Sequence, residues 1–221
     1  MARPAPSYIP VESIAAYPME HAWDDWDPYE LIGDPDPSVV ERLRPVSRHG
    51  VLAFALACTE WILYRMKIHS DDDLPWQYVD AQWAGLLNSD LAYEWEPDQD
   101  HADGPVRGPI DMAVRQITNC SRALHLGEGE LDAALIARVA VFVMPDPSTF
   151  LKWQDQALDR LAQLYERDGA GFGPPIPREA LEPGVEMTAQ SGIELARRYV
   201  QTLDFGNNEF LDAAALPDTE K

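Results

Sequence analysis

The sequence predicts an all-α chain: a single-domain, irregular helical bundle of about six or seven helices with an extended N-terminal arm. Apolar residues recur at three- and four-residue spacing in segment after segment. No alternating strand pattern and no internal repeat interrupts them. Prolines and acidic residues fall where those segments begin, and glycines or prolines where they stop. The expected division is an acidic, Pro- and aromatic-rich arm over 1–37, a bundle over 38–203, and a C-terminal tail over 204–221. That tail is expected to fray, with Phe210 and Leu211 able to dock.

The arm carries Pro4, Pro6, Pro10, Pro18, Pro28, Pro35 and Pro37, and proline lacks the amide that helix interiors and central strands need. Tyr8, Ile9, Tyr17, Trp23, Trp26, Tyr29 and Leu31 are too apolar for a free tail. An irregular arm lying on the body, with one short helical turn, is expected. A short helix over Ser38–Leu43 then meets Pro45, and a long one runs from Val46 to His69. Its middle, VLAFALACTEWILY, is apolar nearly all round, which marks a central helix. Gly50 near its start would let a neighbour approach closely.

The stretch HSDDDLPWQYVDAQW contains the next helix start. An aspartate before Leu74-Pro75 can cap free amides, proline suits the first turn, and negative charge there suits the helix dipole. Trp76, Val79, Trp83 and Leu86 follow at helical spacing. As a metal site Asp71, Asp72 and Asp73 lack partners, so no metal is assigned. Residues 89–108 read as a long acidic loop. Asp98–Gly104 within it resembles a calcium loop, but its glycine is misplaced and Pro109 stands where a bidentate glutamate belongs. A helix is expected from Pro109, with Ile110, Ala113, Val114, Ile117, Ser121 and Leu124 on one face. Another begins near Glu130 and Asp132 and ends at Pro145. Ser148 is expected to cap an amphipathic helix with Leu151, Leu158, Leu161, Ala162 and Tyr165 inward. GAGFGPPIP is a linker, and the last helix spans Met187–Leu203.

Thirty-eight acidic residues face 17 basic ones, a formal charge of −21. That charge opposes binding to nucleic acid and to anionic membrane, and favours basic protein partners. Two cysteines, Cys58 and Cys120, form no CxxC pair, which points to a reducing, cytoplasmic setting. The apolar run Val51–Tyr64 is too short to span a bilayer. No nucleophile elbow, phosphate-binding glycine loop or HExxH zinc motif occurs, so no catalytic residue and no cofactor is assigned.

Two charges stand alone in apolar helices. Glu60 is the only one between Val51 and Tyr64, and Arg138 the only one between Ala133 and Met144. Burying an unpaired charge is costly, so a structural ion pair between the two, which antiparallel packing would allow, or two side chains that snorkel to water is the expected solution. If they line a pocket instead, Glu60 is the candidate base, and Arg115 and Arg122 join Arg138 as candidates to hold an anion.

The acids are unevenly spread. Seven lie between Tyr17 and Pro37 and ten between Asp71 and Val106, and neither window contains Lys or Arg. Aromatics interleave with them. Trp23, Asp24, Asp25, Trp26, Asp27, Asp71, Asp72, Asp73, Trp76, Glu94, Trp95 and Glu96 are the candidate contacts to a basic protein. Acids would steer the encounter and aromatics supply contact energy. The competing reading has the aromatics packed inward while the acids solvate the surface.

Arg48-His-Gly-Val-Leu-Ala-Phe-Ala-Leu-Ala-Cys-Thr-Glu60-Trp-Ile-Leu-Tyr64, then Asp71-Asp-Asp-Leu-Pro75-Trp and Val79-Asp-Ala-Gln-Trp-Ala84, resembles helical immunity proteins of bacterial polymorphic toxin systems. They share a helix with alanine, cysteine and glutamate, an aspartate–proline break and an alanine-rich helix. The resemblance is confined to residues 48–84, and it implies a non-catalytic inhibitor that binds a toxin. Three functions thus remain open: a helical module binding a basic protein, an enzyme or ligand-binding bundle around Glu60 and Arg138, and a structural subunit whose arm packs on a neighbour. A homo-oligomer is open as well.

Overall fold

The 19-residue helix α4 (Arg48–Met66) organises the fold because it has no polar face; every residue from Gly50 to Met66 is buried. A helix of that kind must be enclosed by others. The computed structural model describes residues 5–95, 97 and 104–216. Around α4 pack α1 (Val11–Ala16), α5 (Leu74–Gly85), α6 (Gly104–Leu126), α7 (Glu130–Val143) and α8 (Ser148–Leu164). Helix α2 (Pro28–Ile32) lies on α7, and α3 (Pro37–Leu43) lies against α7 and α8. Helix α9 (Ala189–Gln201) sits on α5 and on a 3₁₀ turn over Arg178–Leu181. The described residues contain helices and two isolated bridges, Val46 with Glu166 and Ala92 with Leu211, but no strand. The chain is all-α. None of these helices is long and apolar enough to cross a membrane.

The arm is not separate from the bundle. It forms two short helices rather than one turn, and Ile9, Ile14 and Ile32 join the same core as α4. Tyr8 stacks on Trp153 with ring centroids 4.9 Å apart. Arg65, buried at the end of α4, donates from Nη1 to the carbonyl of Tyr17 at 2.9 Å and from Nη2 to that of Pro18 at 2.8 Å. Its Nε donates to the carbonyl of Val143 at 3.2 Å. One guanidinium therefore joins α4, α7 and the arm, and its fork of donors suits three carbonyls at once.

Helix α6 begins at Gly104, so Pro109 lies inside it and not at its start. Proline there has no N–H for the carbonyl four residues earlier, that of Pro105. His21 Nε2 donates to that carbonyl instead, at 2.8 Å. Asp25 Oδ1 accepts from the Gly104 amide at 3.0 Å, capping the helix from the arm. Gly108 adds a third attachment. A β-carbon at 108 would overlap the Trp23 indole, so the indole lies directly on the helix backbone. Gly108→Ala is therefore expected to unseat Trp23, at a cost of about 1–3 kcal/mol of overpacking. The check is the tryptophan emission difference against Trp23→Phe. That difference should shift to the red in the alanine variant, and an unchanged difference would contradict the contact.

Asp72, one residue earlier than the formal cap position, accepts from the Leu74 amide at 2.9 Å, so the aspartate run does start α5. Asp146, not Ser148, caps α8; its two oxygens accept from the Ser148 amide and hydroxyl, both at 2.9 Å. Leu151 is exposed, whereas Leu158, Leu161 and Tyr165 are buried. Phe210 and Leu211 of the tail are buried, and Leu211 bridges to Ala92. Tyr93 donates its amide to Phe210 at 2.8 Å, and the Phe210 ring packs on Tyr78 and Trp95. The loop resembling a calcium site lies over 98–103, outside the described residues.

Candidate functional site

The expected pairing of Glu60 with Arg138 does not form. Helices α4 and α7 do pack together, but Glu60 is fully buried (0 % exposed) and pairs with Arg178 from the 3₁₀ turn. Arg178 Nη2 stands 2.7 Å from Glu60 Oε1, and Trp83 Nε1 donates to the same oxygen at 3.1 Å. Arg138 donates from Nε to the carbonyl of Ile32 at 2.6 Å, holding the end of α2. Spacing shows that a buried charge needs a partner. It does not show which of several distant segments supplies it.

Around the Glu60 pair lies a buried polar cluster. The Tyr199 hydroxyl donates to Asp80 Oδ1 at 2.6 Å, and the Arg178 guanidinium lies 5.4 Å from the Tyr199 ring centre. Burial raises the pKa of Glu60 above its ordinary value, against the opposing pull of Arg178. Burial also pushes the Tyr8 and Tyr199 hydroxyls up, helped by Glu60 at Tyr8 and by Asp80 at Tyr199. The elements that meet here are the arm, α4, α5, the turn and α9. The cluster is placed to fasten those segments together, and its enclosed carboxylate has no exposed face.

The remaining pocket candidates do not converge on it. Arg122 is exposed and pairs with Glu94, Nη2 to Oε2 at 2.7 Å. Arg115 lies on the rim of a separate small cavity between the arm and α6. Among the described residues, no group of three or more His, Cys, Asp and Glu side chains could hold a metal ion. Asp72 is committed to Arg107, and Asp73 accepts from Gln77 Nε2 at 3.3 Å.

The acidic and aromatic candidates divide in a way the sequence left open. Trp23 lies on Gly108 and meets the edge of Phe142. Trp76 packs edge-on against Tyr64 at 4.7 Å, and Trp95 packs between Tyr78 and Phe210. These three are packing residues, because an indole gains most by leaving water. Trp26 is the exception, at 97 % exposure. Tyr17 and Tyr29 share the arm surface with it, each about half exposed. Asp24, Asp25, Asp27, Glu30 and Asp34 stand among them. Asp24 accepts from the Trp26 amide at 2.9 Å, and Asp27 caps α2 through the Glu30 amide at 2.9 Å. The carboxylates therefore set the backbone that presents Trp26 as well as charging the surface. Asp71 and Asp73 are exposed, Asp72 is half-buried, and Glu96 lies outside the described residues.

Comparison with protein-family models, with curated proteins and with solved structures returns no match for this chain.

Proposed function

We propose that this chain is a protein-binding module that docks a basic protein on the surface of its N-terminal arm, acting as an inhibitor by covering the partner's positive site. The observation that carries the reading is Trp26. It is 97 % exposed and stands between Asp25 and Asp27 on a backbone fixed by three carboxylates. Interface hot spots favour tryptophan, and a surrounding acidic field speeds encounter with a basic partner. The resemblance of residues 48–84 to immunity proteins supports a toxin as that partner. Steering and contact energy are then separate properties of one surface. The acids act over a Debye length and weaken with salt, while the indole acts only on contact.

The test is capture from native lysate at low salt and at about 500 mM salt. The baits are the wild type, Trp26→Ala, and a variant with Asp24, Asp25 and Asp27 changed to Asn. Asparagine keeps the caps and removes the charge. A basic protein should bind the wild type at low salt and be lost at high salt. Trp26→Ala should weaken it at least tenfold, in line with a hot spot of about 2 kcal/mol. The Asn variant should slow association and flatten the salt dependence. Equal recovery of that protein on all three baits would refute the reading.

A further inference from the structure

Between the arm and α6 lies a cavity of about 220 Å³, lined by Trp23, Asp25, Pro28 and Tyr29 from the arm and Gly108, Asp111, Met112 and Arg115 from the helix. It has room for about seven waters at ~30 Å³ each, so it suits one small molecule rather than a nucleotide. Its walls are fixed. Trp23 rests on Gly108, and Gln116 Nε2 donates to the Tyr29 hydroxyl at 3.1 Å.

The two ends differ in charge. Asp111 is 1 % exposed. Arg107 Nε pairs with its Oδ1 at 2.6 Å, and among the described residues neither of its two enclosed oxygens accepts a hydrogen bond. A buried carboxylate oxygen without a partner is unusual and costly. Asp25 adds a second negative charge to the lining. Arg115 stands one turn along α6 from Asp111. Among the described residues its guanidinium makes no hydrogen bond and no ion pair within 4 Å, and its charge acts on Asp111 only through space, although acids outnumber bases more than two to one in this chain. Arginine forks are suited to bidentate carboxylates. A simple anion at Arg115 would also face Asp111 and Asp25, and a simple amine would face Arg115. Only a molecule carrying both charges satisfies both ends. Trp23, Tyr29, Pro28 and Met112 leave apolar surface for a side chain between them.

The geometry points to a binding site for a free α-amino acid with an apolar or aromatic side chain, its carboxylate on Arg115 and its ammonium toward Asp111 and Asp25. This site does not depend on the docking reading, and its test needs no partner. L-Phenylalanine is titrated into the full-length chain by calorimetry, beside phenethylamine and 3-phenylpropionate, which each lack one charge. The Trp23 indole N–H, assigned by Trp23→Phe, is followed by NMR. Phenylalanine is expected to bind and shift that signal, with either single-charge analogue at least tenfold weaker. Arg115→Met, which breaks no hydrogen bond of the fold, should weaken phenylalanine at least tenfold and leave phenethylamine no weaker, since the like charge that the amine faces is gone. Absence of heat and of any indole shift would overturn the site. So would equal binding of an analogue, or phenylalanine affinity retained in a folded Arg115→Met chain.

Discussion

Arg178→Met is expected to lower the stability of the chain by about 3–5 kcal/mol, the usual cost of leaving one member of a buried ion pair without the other. Glu60 is wholly enclosed, and among the described residues its only charged contact within 4 Å is Arg178. Methionine fills much of the same volume, so the loss reports charge rather than a cavity. The deficit should also depend on pH. The folded pKa of Glu60 lies above its ordinary value of 4.5, chiefly through burial, with Arg178 restraining the rise. Between the unfolded and folded values the native state binds more protons, so stability falls as pH rises through that window. Removing Arg178 lifts the folded value further and widens the window upward. Each added pH unit of window costs about 1.4 kcal/mol. Urea unfolding at pH 5 and pH 8 should therefore show a larger deficit at pH 8. Adding Glu60→Gln to Arg178→Met should remove most of the pH dependence. A deficit equal at the two pH values would show that Glu60 carries no charge in the native protein.

The second large effect is expected at Arg65. Arg65→Met keeps the aliphatic stem and deletes donors to three carbonyls, those of Tyr17, Pro18 and Val143. Stranding buried acceptors costs about 1–3 kcal/mol each, so a loss on the order of 3 kcal/mol is expected after partial hydration of the arm carbonyls. The position of the loss matters more than its size. Two of the three carbonyls belong to the arm, so the arm should open before the bundle does. Limited proteolysis should cut within 17–31 faster than in the wild type, while cleavage between α6 and α8 stays slow. Partner affinity should fall too, because an unfixed arm must be ordered at each encounter. Uniform acceleration of cleavage along the whole chain would mean that Arg65 supports the core and not the arm.

Local signals in this sequence were readable where one helix decided the outcome. An unbroken apolar circumference placed α4 at the centre, and the aspartate–proline start placed α5. Features set by distant contacts were not. Pro109 read as a helix start because its orphaned carbonyl partner is satisfied by His21, 84 residues away in sequence. Arg178 sits in a short turn after a proline-rich linker, where nothing in the spacing marks it as the counter-charge of Glu60. Trp23 and Trp26 look alike in sequence, three residues apart in the same acidic run. Gly108, on another helix, makes one of them a packing residue and leaves the other in water. Burial of aromatics in the tail was hidden for a similar reason: Phe210 docks on Tyr78 and Trp95, which belong to segments far from it.

The docking surface is defined by a fixed arm that carries one bare indole among carboxylates. Amide hydrogen exchange on the chain alone, and then in complex with the basic protein it captures, tests this most directly. Exchange over 24–36 is expected to slow in the complex, while Arg178–Leu181 and α9 keep their rates. Protection elsewhere on the chain with none over 24–36 would place the partner on a different surface and contradict the account.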